Sequence, residues 1–314
     1  MNNPQPIWID CDPGIDDAYA LCLAAACPEL LVTGLSAVAG NVGLNATYAN
    51  SRKLAAFLHL KGPVCAGAAG PLLREKEDAS LVHGAGGLGF GVLPECSEDP
   101  GGPSFLDALY EAALRHRGEL IVLAVGPLTN LALALWRRPQ LKELIKEIRM
   151  MGGSATSGNH SPYGEFNVWA DPHAAKMVFQ SGVPIVLYGL DLTTQTILTQ
   201  QKMRALERPN PLGGFLKGMN DFIFSTKNPF QRPDGVILHD ALVVASLVIP
   251  EAFTYQSARL DCETASKESF GQTVMIFDAP EPNASIGRTV AAEAFYALLQ
   301  KMADYYDGCW PPTP

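Results

Sequence analysis

The chain has 314 residues, enough for one large domain or two small ones with a substantial buried core. Lys and Arg number 23 against 32 Asp and Glu, a formal charge of −9, which argues against a nucleic-acid or anionic-membrane surface. A hydrophobic fraction of 47% with 18% charged residues excludes disorder or a fibre as the main story.

The first dozen residues carry no basic region ahead of an apolar stretch. The most apolar windows, such as 18–26, fall far short of the roughly 20 residues of a membrane span. The expected location is therefore cytoplasmic, with neither membrane nor nucleic acid as partner. Seven cysteines (Cys11, Cys22, Cys27, Cys65, Cys96, Cys262, Cys309) form no CxxC pair and read as reduced core residues.

In chain order, Ile7-Trp8-Ile9 reads as a strand running into Asp10-Cys11-Asp12-Pro13-Gly14, with helical spacing over 16–26. A strand over 30–38 follows, then a helix over 44–60 and a short strand at 64–66. Periodicity fails over 67–103, and five glycines between Gly84 and Gly91 mark a long loop whose backbone can approach a ligand. Order resumes at 104–117. Leu120 to Val125 is the clearest buried strand, turned by Gly126-Pro127 ahead of a helix over 129–136 and a strand over 148–151. Asp171-Pro172 reads as an N-cap and first helical residue. A strand at 185–187 precedes an irregular helical and loop insertion over 192–238, which Pro209, Pro211, Pro229 and Pro233 break. A helix over 239–248, strands at Leu260 and 273–277 and a last apolar-striped helix complete the chain. Alternating β and α elements without a linker predict one α/β domain over 1–314, with a mostly parallel central sheet flanked by helices and a site at the carboxyl ends of the strands.

The densest chemistry is Asp10-Cys11-Asp12-Pro13-Gly14-Ile15-Asp16-Asp17, four carboxylates in eight residues at the end of the first strand. Such a cluster repels itself unless a cation sits within it, and all-oxygen donors suit Ca²⁺ or Mg²⁺ rather than zinc. Helix capping accounts for one or two of these acids, not four. Further along, Gly158-Asn159 and Glu165-Phe166-Asn167 place two carboxamides and a carboxylate in one polar loop, donors and acceptors of the kind that vicinal hydroxyls need. His239-Asp240 opens a helix, where adjacent side chains diverge by roughly 100° and can face a leaving group and a metal respectively, or simply cap the helix.

Together these segments resemble the inosine-uridine-preferring nucleoside hydrolase family over nearly the whole chain. The N-terminal acidic motif is supported in order by Ala39-Gly40-Asn41, Val82-His83-Gly84, Gly126-Pro127-Leu128-Thr129-Asn130, Met151-Gly152-Gly153, Gly158-Asn159, Glu165-Phe166-Asn167 and His239-Asp240. The resemblance implies calcium-dependent cleavage of the N-glycosidic bond of ribonucleosides to ribose and free base, by a homotetramer or homodimer. By position, it implies that Asp12, Asp17, Asp240 and the carbonyl of Val125 hold Ca²⁺. Asp16, Asn41, Asn159, Glu165 and Asn167 then hold the ribose beside Met151. Asp12 is the base for the attacking water, His239 the acid for the leaving base, and His83 lines the base side.

The chemistry itself asks for an activated water, stabilisation of an oxocarbenium-like ring and protonation of the base. Three departures from the family pattern stand out: a looser Gly-rich loop from His83 to Gly91, Gly164 where Ala is expected before Glu165, and a segment over 222–238 without Tyr or Trp, where Phe224, Phe230 and Gln231 are candidates for base contact. His160, Tyr163 and Asp191 sit near the ribose loop, and Trp8, Trp136, Trp169 and Trp310 read as packing residues. Two alternatives remain, a calcium-dependent nucleoside or ribose sensor without turnover, and a Mg²⁺-dependent phosphatase of the haloacid-dehalogenase type. The second lacks the Thr or Ser expected after its DxD.

Overall fold

A nine-stranded sheet runs through the computed structural model, which describes residues 3–96, 102–225 and 234–309. Its strands are β1 (Gln5–Cys11), β2 (Leu30–Ala37), β3 (Val64–Ala66), β4 (Leu120–Ala124), β5 (Ile145–Met151), β6 (Ile185–Tyr188), β7 (Phe253–Cys262), β8 (Thr273–Phe277) and β9 (Ala284–Val290). Their spatial order is β3-β2-β1-β4-β5-β6-β9-β7-β8. All neighbours pair in parallel except β7, which runs antiparallel to both β9 and β8.

Side-chain alternation sends each strand's residues to two separate cores. In β1, Ile7, Ile9 and Cys11 join one core and Trp8 the other; in β4, Ile121 and Leu123 part in the same way from Leu120, Val122 and Ala124. The helices Ile15–Ala26, His239–Val248 and Ala292–Cys309 pack together over the first core. Phe105–Arg115, Thr129–Arg137 and Pro172–Phe179 cover the second. This is the α/β architecture expected of alternating elements, with both faces buried. Strand order reverses between β1 and β4, and open sheets of this kind leave a crevice outside the carboxyl ends at such a reversal.

Several local expectations are corrected. The stretch 67–103 holds a one-turn helix, Ser80–His83, and the polar loop after β5 leads into another, Phe166–Ala170. Pro211 does not break the 192–238 segment but opens its longest helix, Pro211–Ser225, with the Asn210 side chain accepting from Gly213 N–H at 2.8 Å. β9 was not anticipated, and β7 begins at Phe253, well before Leu260. β7's inward positions at Ala258, Leu260 and Cys262 carry a weak apolar signal, since its other face is largely exposed. Cys11, Cys22, Cys27, Cys65 and Cys262 are buried and Cys96 is half-exposed, and all six are free thiols. Trp136 is 71% exposed rather than packed. No described helix is long and apolar enough to cross a membrane.

Asp171 is the anticipated N-cap, and it does more. One oxygen accepts from Ala174 N–H at 3.0 Å, the other from Thr129 Oγ1 and Leu72 N–H, both at 2.8 Å. A buried carboxylate thus joins three segments distant in sequence. Asp171→Ala should lower unfolding free energy by about 2–4 kcal/mol, against about 1 kcal/mol for Thr129→Val, read from urea denaturation. Equal losses would mean the cap and the Leu72 bond contribute nothing.

Candidate active site

The crevice at the strand reversal is a cavity of about 770 Å³, and the loops that leave β1, β2, β4, β5 and β6 line it. Asp16, Asn41, His83, Val125, Met151, Asn159, Glu165, Asn167, His239 and Asp240 all reach its wall. Asp12 and Asp17 lie just beneath, fully buried.

Asp17 is the third residue of the helix Ile15–Ala26, and its carboxylate accepts from Gly14 N–H at 2.9 Å, Asp12 N–H at 3.1 Å and Asn41 Nδ2 at 3.1 Å. Asp12 Oδ2 accepts from Asn41 N–H at 2.7 Å, while its Oδ1 has no hydrogen-bond partner although it is shielded from solvent. Asp16 Oδ1 is in the same position. Burial first, then repulsion from Asp17, holds the Asp12 carboxyl well above the usual range. Burial and the charge of Asp16 push Asp17 up to about 7. Asp240, buried and facing Asp16, Asp17 and Asp12, is likewise raised. Asp16, Asp17 and Asp240 each offer an oxygen, and these three lie within 4.8 Å of one another. Asp12 stands outside that trio.

Two buried oxygens without donors, beside a knot of carboxylates that resist ionising together, are what a divalent cation would resolve. The donor set fits a hard ion bound through oxygen. The Val125 carbonyl, on the cavity wall, is set in place by Val125 N–H donating to Asp10 O at 2.8 Å and accepts from Asn167 Nδ2 at 3.0 Å.

The other polar residues of the cavity wall are tied down in the same manner. Glu165 caps the helix Phe166–Ala170, accepting from Gly153 N–H at 2.8 Å and Val168 N–H at 3.2 Å, and burial lifts its carboxyl to about 7. Asn167 spends its Nδ2 on Val125 O, Met151 O and Met151 Sδ, which leaves its carbonyl oxygen for a ligand. Asn159 is the reverse: its Oδ1 accepts from Phe166 N–H at 2.9 Å, so its amide hydrogens are the available group. Asn41 donates through Nδ2 to Asp12 O and Asp17 and so braces the acids as well as facing the cavity.

His83 Nδ1 accepts from Ile15 N–H at 3.0 Å, so the neutral ring carries its proton on Nε2. Burial keeps it neutral, lowering its affinity for a second proton against the pull of Asp16. His239 opens the helix His239–Val248, and its Nδ1 lies 2.8 Å from Thr193 Oγ1.

Thr193 was missed by sequence reading, and only its place after β6 hints at it. Asp191 is a loop organiser: it accepts from Ala155 N–H at 2.7 Å, Thr156 Oγ1 at 2.7 Å and Ser154 Oγ at 3.1 Å. Among the three base-contact candidates, Phe224 is not part of the cavity wall. It packs on the core with the Arg204 guanidinium 5.5 Å from its ring centre, whereas its neighbour Ile223 does reach the cavity. Phe230 and Gln231 lie outside the described residues.

Comparison with known proteins points the same way. The model of the family "Inosine-uridine preferring nucleoside hydrolase" matches residues 7–297. The non-specific ribonucleoside hydrolase RihC of Escherichia coli O1:K1 is 40% identical over 274 residues, 87% of this chain and 88% of that protein. Among solved structures, a plant nucleoside hydrolase superposes with a TM-score of 0.87 at 29% identity, over 96% of this chain and 99% of its own. A purine-preferring ribonucleoside hydrolase from Gardnerella vaginalis gives 0.88 at 26% identity, over 97% and 100%. On its motif order, its strand-end cavity and these matches, the chain belongs to the inosine-uridine preferring nucleoside hydrolase family, whose members are N-ribohydrolases.

Proposed function

We propose that the protein hydrolyses ribonucleosides to ribose and free base, with Ca²⁺ held by Asp12, Asp17, Asp240 and the Val125 carbonyl. The observation that carries this reading is the unpartnered Asp12 Oδ1, buried beside the carboxylate trio at the floor of a cavity large enough for a nucleoside. When bound, the cation supplies charge that orients the ribose diol and acidifies the attacking water. Asp12 Oδ1 accepts a proton from that water as its oxygen bonds to C1′. Asp16, Asn159, Asn167 and Asn41 hold the sugar hydroxyls, with Glu165 completing the set. The surrounding carboxylates oppose the positive charge that develops on the ring.

The bond from C1′ to the base nitrogen breaks as His239 delivers a proton to the base. Thr193 fixes the orientation of the imidazole for that transfer. His83, neutral, presents Nε2–H on the base side. Among the described residues the base side also carries Leu81, Ile223, Val236 and Ile237, an apolar wall that grips a planar ring by area rather than by its edge. That favours acceptance of both purines and pyrimidines.

The test is ribose release from inosine, adenosine, guanosine, uridine and cytidine, with p-nitrophenyl riboside as a substrate whose leaving group departs unaided. The wild type should release ribose from purine and pyrimidine nucleosides alike. His239→Ala should slow inosine by about 10²-fold or more and the nitrophenyl substrate only a few-fold. Equal slowing of both removes the acid role from His239. Binding of nucleosides without any ribose release would make the protein a sensor instead.

A further inference from the structure

Two loops far apart in the sequence meet at the cavity rim. One, over 74–79, carries Asp78 and Ala79 to the rim and feeds the helix Ser80–His83. The other, over 154–164, carries Asn159. Asp191 pins the start of the second loop, as described. Its far end folds on itself, with His160 N–H and Ser161 N–H each donating to Gly164 O at 3.2 Å.

Between the two loops lies a closed ring of four side chains. The His160 imidazole packs on the Trp169 indole with ring centres 3.9 Å apart. The Arg74 guanidinium lies 3.6 Å from the centre of the same indole and donates to Trp169 O at 2.7 Å. Glu77 closes the ring, with Oε1 at 3.1 Å from Arg74 Nη2 and Oε2 at 3.5 Å from His160 Nε2.

We propose that Arg74, Glu77, His160 and Trp169 form a latch that holds the sugar-side loop against the loop leading to His83, and that His160 is thereby a positioning residue for Asn159. The inference rests on the reading of Asn159 as a ribose ligand. Gly164 supports it independently: a Cβ there would stand 2.6 Å from Trp169 Cδ1 and 2.8 Å from Ser161 Oγ. The glycine that departs from the family pattern is the residue on which the indole rests.

The latch acts before substrate arrives. A loop already docked loses less freedom on binding, so affinity depends on the latch while the chemical step does not. Ion pairs at such partly exposed positions contribute modestly by themselves. The stack of guanidinium, indole and imidazole on one centre adds packing and cation–π attraction that an exposed pair lacks.

The experiment is a double-mutant cycle on inosine hydrolysis with His160→Ala, Asn159→Ala and the double variant, with melting temperatures recorded alongside. His160→Ala should raise KM about tenfold with kcat within about twofold, and should add almost nothing in the Asn159→Ala background. His160→Phe, which keeps a ring on the indole but loses Glu77, should recover part of the loss. A raised KM in Asn159→Ala with no change in His160→Ala overturns the latch alone, as do additive effects in the double variant. An unchanged KM in Asn159→Ala overturns the ribose assignment and the latch with it.

Discussion

Asp12→Asn should lower kcat on inosine by at least about 10³-fold with saturating Ca²⁺ present, while the melting temperature moves by no more than a few degrees. The substitution is nearly isosteric, and the fold asks little of the carboxylate's charge. Oδ2 accepts one hydrogen bond, from Asn41 N–H, and an amide carbonyl can accept it equally well. The second oxygen has no protein donor at all. What changes is at that second oxygen, where an NH₂ group replaces a lone pair that would take the proton from water and contribute to holding the cation. Loss of a general base alone accounts for about 10²- to 10⁴-fold, and a weakened cation site adds to it. Turnover within tenfold of wild type would remove Asp12 from both roles. A large fall in melting temperature would instead assign it a structural one.

That second oxygen explains why part of the site is legible in the sequence. A Cβ at Gly126 would stand 2.6 Å from Asp12 Oδ1, and one at Gly40 would collide with Oδ2. The glycines of Ala39-Gly40-Asn41 and Gly126-Pro127 are thus set by the volume of one carboxylate, and a motif with that cause survives as a local string. The unbroken apolar runs of β1 and β4 are similarly local, because each strand is buried on both faces.

What was not legible depends on elements that meet only after folding. Thr193 bonds His239 across 46 positions, and Asp171 joins Leu72 across 99. Neither pairing leaves a periodic trace. The route of the sheet from β6 to β9 and back through β7 is equally hidden, since β9 carries few apolar residues and β7 is half-exposed. Trp169 shows the limit from the other side. Half-buried, it fits packing alone, and its neighbours Arg74, Glu77 and His160 become visible only once two rim loops are placed together.

Stripping divalent cations with a chelator should abolish ribose release, by at least about 10³-fold, and should also lower the melting temperature. Readdition of Ca²⁺ should restore both. The stability change follows from the carboxylates themselves. Asp12, Asp17 and Asp240 are buried where ionisation is disfavoured and where each opposes its neighbours, and a cation that binds only the folded site removes that opposition. At a hundredfold excess over its dissociation constant, such an ion stabilises the fold by about 2.7 kcal/mol. The two readouts separate the assignments. If Ca²⁺ raises the melting temperature of wild type but not of Asp240→Asn, the ion sits in the acidic cluster. If it restores activity without a thermal shift in wild type, the cluster is not its binding site, and the metal set drawn from Asp12, Asp17, Asp240 and Val125 is wrong. Mg²⁺ provides the contrast, because it demands a tighter octahedral shell and gives up its water reluctantly. The fixed hydrogen bonds on Asp17 and Val125 leave little room to contract around a smaller ion, so Mg²⁺ at equal concentration should give the smaller thermal shift.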